Sequence, residues 1–209
     1  MASSVEATEL FVRTLAEVAI KNEKYFADLD GVCGDGDFGI SLAAGFAKVI
    51  EQWDALDHST PGALLKGVSM TIASKVGGVS GAIWGTAFLR ASVVAGTKPE
   101  LTADDIVAMA RAAIEGMKKR GQSDLGDKTL LDAFVPAIDE FERASKDGQD
   151  AAAAVKAASA VARQKTEDIK PWVAKRGRAS YTGERSCNTY DAGSVAIAMM
   201  AEQLAAVWK

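Results

Sequence analysis

The sequence predicts an all-α fold. Apolar residues recur at helical spacing in eight segments, and no segment sustains the period-two alternation of a half-buried strand. Glycines gather at 31–39, 77–85, 121–126 and 177–183, between those segments. The first helix is read over 11–28, where Phe11, Leu15, Val18 and Tyr25 follow a helical repeat with Asn22 as one polar exception. Seven more are read at 39–53, 61–75, 80–95, 102–119, 128–146, 149–166 and 191–208. Ser59-Thr60 ahead of Pro61 is a cap followed by a proline in the first turn. Thr102 before Ala-Asp-Asp is a capped, acid-rich start, and Ala151–Ala162 is almost all strong helix formers. Asp127 and Asp191 are read as caps, and Pro136 predicts a kink or local break.

Composition bounds the function. At 209 residues and 48% hydrophobic, the chain has material for a substantial core, and no composition shift or repeat divides it, so 1–209 is read as one domain. A net charge of −4 without a basic run argues against nucleic acid or an anionic membrane as the main partner. The start, MASSVEATELF, lacks the basic and apolar regions of a signal peptide, and Glu202 and Gln203 interrupt the last apolar stretch, so no membrane span is expected. Two cysteines, Cys33 and Cys187, make no disulfide framework, and the expected setting is a reducing cytoplasm.

The stretch LDGVCGDGDFG (29–39) carries three aspartates and spells G-x-G-x-x-G at Gly34, Gly36 and Gly39. A dinucleotide fingerprint needs a strand before it, and here a helix precedes. Carboxylates inside such a loop would also repel a bare pyrophosphate, by roughly 4 kcal/mol per charge pair at about 4 Å and an effective dielectric near 20. Cations between carboxylate and phosphate remove that conflict. Asp30, Asp35 and Asp37 are hard oxygen ligands suited to Mg²⁺. Gly34 and Gly36 allow a tight turn, and Gly39 allows a phosphate to approach the next helix start. The same residues also read as an acidic, solvated turn.

Other loops add to this. KVGGVSGAIWGTAFLRA (75–91) opens on Gly77-Gly78, with Ser80 as a cap and amides near Val79–Gly81 available to an anion; taken alone it reads more readily as an ordinary glycine-rich turn with tight helix packing at Gly81 and Gly85. KRGRASYTGERSCNTYDAGS (175–194) offers Arg178 or Arg185 to phosphate oxygens, and also reads as a solvated basic loop. His58, the sole histidine, lies in a turn and supports no nucleophilic dyad. Cys33 is read as a packing residue, because Mg²⁺ does not select a thiol.

Together, LDGVCGDGDFG, KVGGVSGAIWGTAFL, GDKTLLDAFVPA and KRGRASYTGERS…DAGS resemble, in order and spacing, the nucleotide-binding L subunit of dihydroxyacetone kinases over essentially the whole chain. The resemblance implies a closed barrel of eight antiparallel amphipathic helices with the nucleotide, ATP or ADP, at one end. It implies two Mg²⁺ ions on Asp30, Asp35 and Asp37. Phe38, Gly39, Ile40, Ser41, Val79, Ser80, Gly121, Leu130, Arg178, Asp191, Ala192 and Gly193 would line the nucleotide pocket. No catalytic residue beyond the metal ligands is implied.

A separate K subunit, with a histidine that captures the ketone covalently, would be the partner. The phosphoryl group would come from exchanged ATP, or from a phosphotransferase-system protein that recharges fixed ADP. The acceptor would be dihydroxyacetone or a four-carbon ketose such as erythrulose. Two departures stand out: Phe38 where the family usually has histidine, and Thr189-Tyr190-Asp191-Ala192-Gly193 where it often reads H-Q-D-P-G. A metal-dependent phosphohydrolase and a non-catalytic adaptor are the alternative functions.

Overall fold

In the computed structural model, residues 3–75 and 78–209 are described, with the backbone alone for Lys75, Gly78 and Val79. Among them are nine α-helices and no strand. They are α1 (Ser4–Lys21), α2 (Glu23–Gly31), α3 (Asp37–Glu51), α4 (Pro61–Lys75), α5 (Gly78–Ala95), α6 (Ala103–Gly121), α7 (Leu131–Lys146), α8 (Ala151–Asp168) and α9 (Ala192–Val207). Two 3₁₀ segments, Trp53–Ala55 and Arg178–Ser186, lie in the connections. From α2 onward each helix packs on the next in chain order, and α9 returns to pack on α1. The apolar faces meet in one core, in which Phe46 stands edge-on to both Trp84 and Phe88 with ring centroids 6.1 Å apart. Each such buried side chain contributes about 1.5–3 kcal/mol of transfer free energy.

The local signals explain most helix ends. Ser3 and Glu6 form a capping box at α1, and Thr102 and Asp105 form another at α6. Thr60 Oγ1 accepts from the Ala63 N–H at the start of α4, and Asp191 accepts from the Ser194 N–H at the start of α9.

Four expectations are corrected. The predicted 11–28 helix begins at Ser4 and breaks at Asn22, whose amide Nδ2 donates to the Val18 carbonyl and competes with the helical ladder. α7 begins at Leu131, so Asp127 does not cap it; Asp132 instead accepts from the N–H groups of Gly126 (2.6 Å) and Thr129 (2.8 Å). α7 also runs through Pro136 without a break, since a proline there removes one ladder bond early in the helix. Ser80 lies inside α5 and is not its cap.

Candidate functional site

The short α2 ends at Gly31 and α3 begins at Asp37, so Asp30 and Asp37 sit on adjoining helix ends with Asp35 in the link. The turn is made by Gly36, at φ +75°, a left-handed conformation that glycine adopts without penalty. Gly39 serves packing and not an open phosphate approach. A Cβ there would lie 2.1 Å from the Glu23 carbonyl oxygen and 2.5 Å from the Ala27 nitrogen, so the missing side chain is what lets α2 lie on α3. The close approach brings ligand oxygens of Asp30, Asp35 and Asp37 within 4.8 Å of one another.

Burial pushes the Asp30 carboxyl above its ordinary range. The Phe38 N–H, which donates to Asp30 Oδ2 at 3.3 Å, opposes that shift, and the charges of Asp35 and Asp37 reinforce it. Three converging carboxylates, one of them partly buried, fit a hard divalent cation, which relieves both the burial and the repulsion. Cys33 is not part of the donor set: its thiol faces the Arg185 carbonyl (3.4 Å) and Thr189.

Arg178 faces the cluster. Its guanidinium pairs with Asp35, and with Asp37 at 3.3 Å, and so neutralises part of the carboxylate charge. Its side chain remains 58% exposed and free to reorient. Arg178 follows Gly177, at φ +67°, and opens the 3₁₀ segment that folds over the site.

The remaining sequence-predicted residues fall into groups. Phe38 packs edge-on to Phe26 with centroids 6.2 Å apart, so its ring belongs to the core margin. Ile40 is exposed, while Ser41 and Ser80 line one small cavity between α3 and α5, together with Trp84. Val79 lies in the first turn of α5, but its side chain is outside the described residues, and Gly77 is outside them altogether. Gly121, at the end of α6, faces Ile83 and Ser123. Leu130 abuts Gly193 across the α7 and α9 starts.

Asp191 and Ala192 line a second cavity with Leu29, Asp30, Cys33 and Tyr190. Burial pushes the Asp191 carboxyl up to about 7; the Ser194 N–H opposes this, Asp132 and Asp30 add to it, and Lys128 offsets part of it. His58 is not a free surface turn: it bridges Glu9 (2.6 Å) and the Trp53 carbonyl (2.9 Å).

Sequence reasoning missed Lys128. The sequence places it at a helix start, yet it is 2% exposed, at φ +62°, with its ammonium donating to the carbonyls of Lys170, Trp172 and Ser186. A lysine next to glycine-aspartate has no local signature of burial, because all three acceptors lie more than forty positions away.

The fold and site define an all-helical protein with a carboxylate cluster between two helix ends and a basic segment laid over it. Residues 32–206 match the DAK2 domain model. The chain is 35% identical over 182 residues to the ADP-binding subunit DhaL of the PEP-dependent dihydroxyacetone kinase of Escherichia coli K12, covering 87% of each. It is 30% identical over 201 residues to the ADP-binding subunit DhaL of the PTS-dependent dihydroxyacetone kinase of Lactococcus lactis, covering 96% of each. The chain belongs to the DAK2-domain family. The crystal structure of the C. freundii dihydroxyacetone kinase in complex with AMP-PNP and Mg²⁺ shares the fold at a TM-score of 0.68 and 23% identity, over 99% of this chain and 34% of that one. No helix among the described residues is long and apolar enough to cross a membrane.

Proposed function

We propose that this chain is the nucleotide-binding subunit of a dihydroxyacetone or related short-ketose kinase, acting in the cytoplasm as one domain. The observation that carries this reading is the convergence of Asp30, Asp35 and Asp37 at the junction of α2 and α3, faced by Arg178. Asp30, Asp35 and Asp37 would hold two Mg²⁺ ions, which when bound neutralise phosphate charge and draw the phosphoryl group toward transfer.

The chain's own residues position the nucleotide and exclude water. Arg178 swings from Asp35 and Asp37 to the phosphate oxygens once the carboxylates are otherwise neutralised. Ser41, Ser80 and the first-turn amides of α3 and α5 offer donors to the phosphates, Asp191 and Ala192 line the cavity shared with Asp30, and Leu130 packs on Gly193 beside it. Phe38 supports the wall by packing and donates nothing from its side chain. Ketose capture would fall to a K-type subunit with a covalent histidine, as in the family the chain resembles. The donor is ATP, or a phosphotransferase-system protein that recharges bound ADP.

The test mixes the chain with a K-type subunit, Mg²⁺ and dihydroxyacetone, supplies ATP or the phosphorylated donor protein, and follows the ketose phosphate. Product should require every component and vanish with Asp35→Ala. Phosphate-ester hydrolysis by the chain alone would instead support the phosphohydrolase reading. Mg-nucleotide binding without product would support the adaptor.

A further inference from the structure

The segment from Lys170 to Ser186 carries Arg178 and is gripped at both ends by one side chain. Lys128 donates to the carbonyls of Lys170 (2.9 Å) and Trp172 (2.8 Å) at its start and of Ser186 (2.6 Å) at its end. All three ammonium protons are used on carbonyls, and the nearby Asp191 carboxylate supports the charge without a direct hydrogen bond to it. A lysine in a left-handed conformation, holding a buried charge on neutral carbonyls, is a costly arrangement that only its surroundings maintain.

The same ends are tied again. The Lys175 N–H donates to the Asp127 carbonyl at 3.0 Å, and the Ala174 N–H donates to Ser186 Oγ at 2.8 Å. Ser186 Oγ donates in turn to the Gly183 carbonyl at 2.6 Å. Between these anchors the 3₁₀ segment lies over the site, and Arg178 at its head reaches Asp35 and Asp37.

We propose that Lys128 is a positioning residue of the nucleotide site: it clamps both ends of the 170–186 segment and so sets Arg178 against the aspartate cluster. This rests on the Mg-nucleotide reading above. Lys128 makes no hydrogen bond to Asp30, Asp35 or Asp37, and its three ammonium contacts are all to the 170–186 segment, so it acts through Arg178.

The experiment is a double-mutant cycle on Mg-ADP affinity, measured by titration calorimetry on the full chain, with Lys128→Met, Arg178→Gln and both. Charge-assisted contacts of this kind give Arg178→Gln about a tenfold change in wild type. In the Lys128→Met background that change should shrink to within about twofold, the tolerance of non-coupled sites. A merely structural lysine would leave the tenfold effect of Arg178→Gln intact in both backgrounds, and that result overturns the proposal. If Lys128→Met does not fold, judged by circular dichroism, Ser186→Ala loosens the same anchor without touching the lysine, and the cycle with Arg178→Gln is read in the same way. No Mg-ADP binding by wild type would refute the site reading itself, a different outcome from additivity.

Discussion

Replacing Gly39 by alanine separates the helices that carry the aspartates. The new Cβ would meet the Glu23 carbonyl oxygen at 2.1 Å, the Ala27 nitrogen at 2.5 Å and the Glu23 carbonyl carbon at 3.1 Å. All three are backbone atoms of α2, so no rotamer change relieves the clash, and α2 must withdraw by roughly 1 Å from a close-packed seam. Overpacking against a rigid neighbour costs about 1–3 kcal/mol, and the backbone obstacle puts this case at the upper end. The gain from alanine over glycine inside a helix, up to about 1 kcal/mol, offsets part of that. The net loss is about 2 kcal/mol, equivalent to roughly 4–8 °C in Tm for a chain of this length.

Gly31→Ala is the control, because a Cβ there meets nothing nearer than Gly36 Cα at 3.9 Å. It should melt at or slightly above the wild-type temperature. Urea and thermal unfolding by circular dichroism measure both. Equal stabilities for the two variants would refute the packing role assigned to Gly39. With Asp30 on α2 and Asp37 on α3, Gly39→Ala should also weaken Mg²⁺ binding, while Gly31→Ala should not.

Gly34→Ala would place a Cβ 2.3 Å from Asp30 Oδ1 and 2.8 Å from the Asp30 carbonyl oxygen. It should reduce Mg²⁺ affinity at least about tenfold with a smaller change in stability; calorimetry showing wild-type affinity would contradict this. His58 is held charged chiefly by the Trp53 carbonyl, with Glu9 adding to the effect against burial, so its folded pKa lies above the ordinary 6.5. Its stabilisation is therefore complete below about pH 6.5 and is lost as pH rises through the higher folded value. The gap in urea midpoint between wild type and His58→Gln should be wider at pH 6 than at pH 8; a constant gap would count against the bridge. Asp191, with its carboxyl pushed up to about 7, has the opposite origin, a buried acid. The folded protein binds a proton there that the unfolded chain has already released above pH 4, so wild-type stability falls between about pH 4 and pH 7 relative to Asp191→Asn. Parallel stability curves for the two proteins would exclude that assignment.

Helix caps and periodicity are local, and for that reason they were legible. Thr60, Thr102 and Asp191 cap where the sequence places caps, and α4 through α9 fall close to the segments read from spacing. The aspartate cluster was legible as well, because its residues lie within eight positions of one another. What failed depends on distant chain. Asn22 breaks the first helix through a side-chain bond that a periodicity count registers only as one polar exception. Gly39 looked like space for a phosphate, and only the arrival of α2 shows that the space belongs to Glu23 and Ala27. The sequence offers Arg178 to phosphate oxygens but carries no sign that Asp35 and Asp37, over 140 positions away, are its partners. Lys128 was invisible because its partners come from a segment that folds back from the other side of α8.

The central claim is a Mg-dependent nucleotide site on Asp30, Asp35 and Asp37, and thermal unfolding with Mg²⁺ alone, ADP alone and both together tests it most directly. With ligand at about 100 times Kd, binding adds about 2.7 kcal/mol, which is roughly 5–11 °C in Tm for this length. The account predicts a rise of that size only when both are present, and its loss in Asp35→Ala. No rise under any condition, or the same rise with ADP alone and in Asp35→Ala, would contradict it.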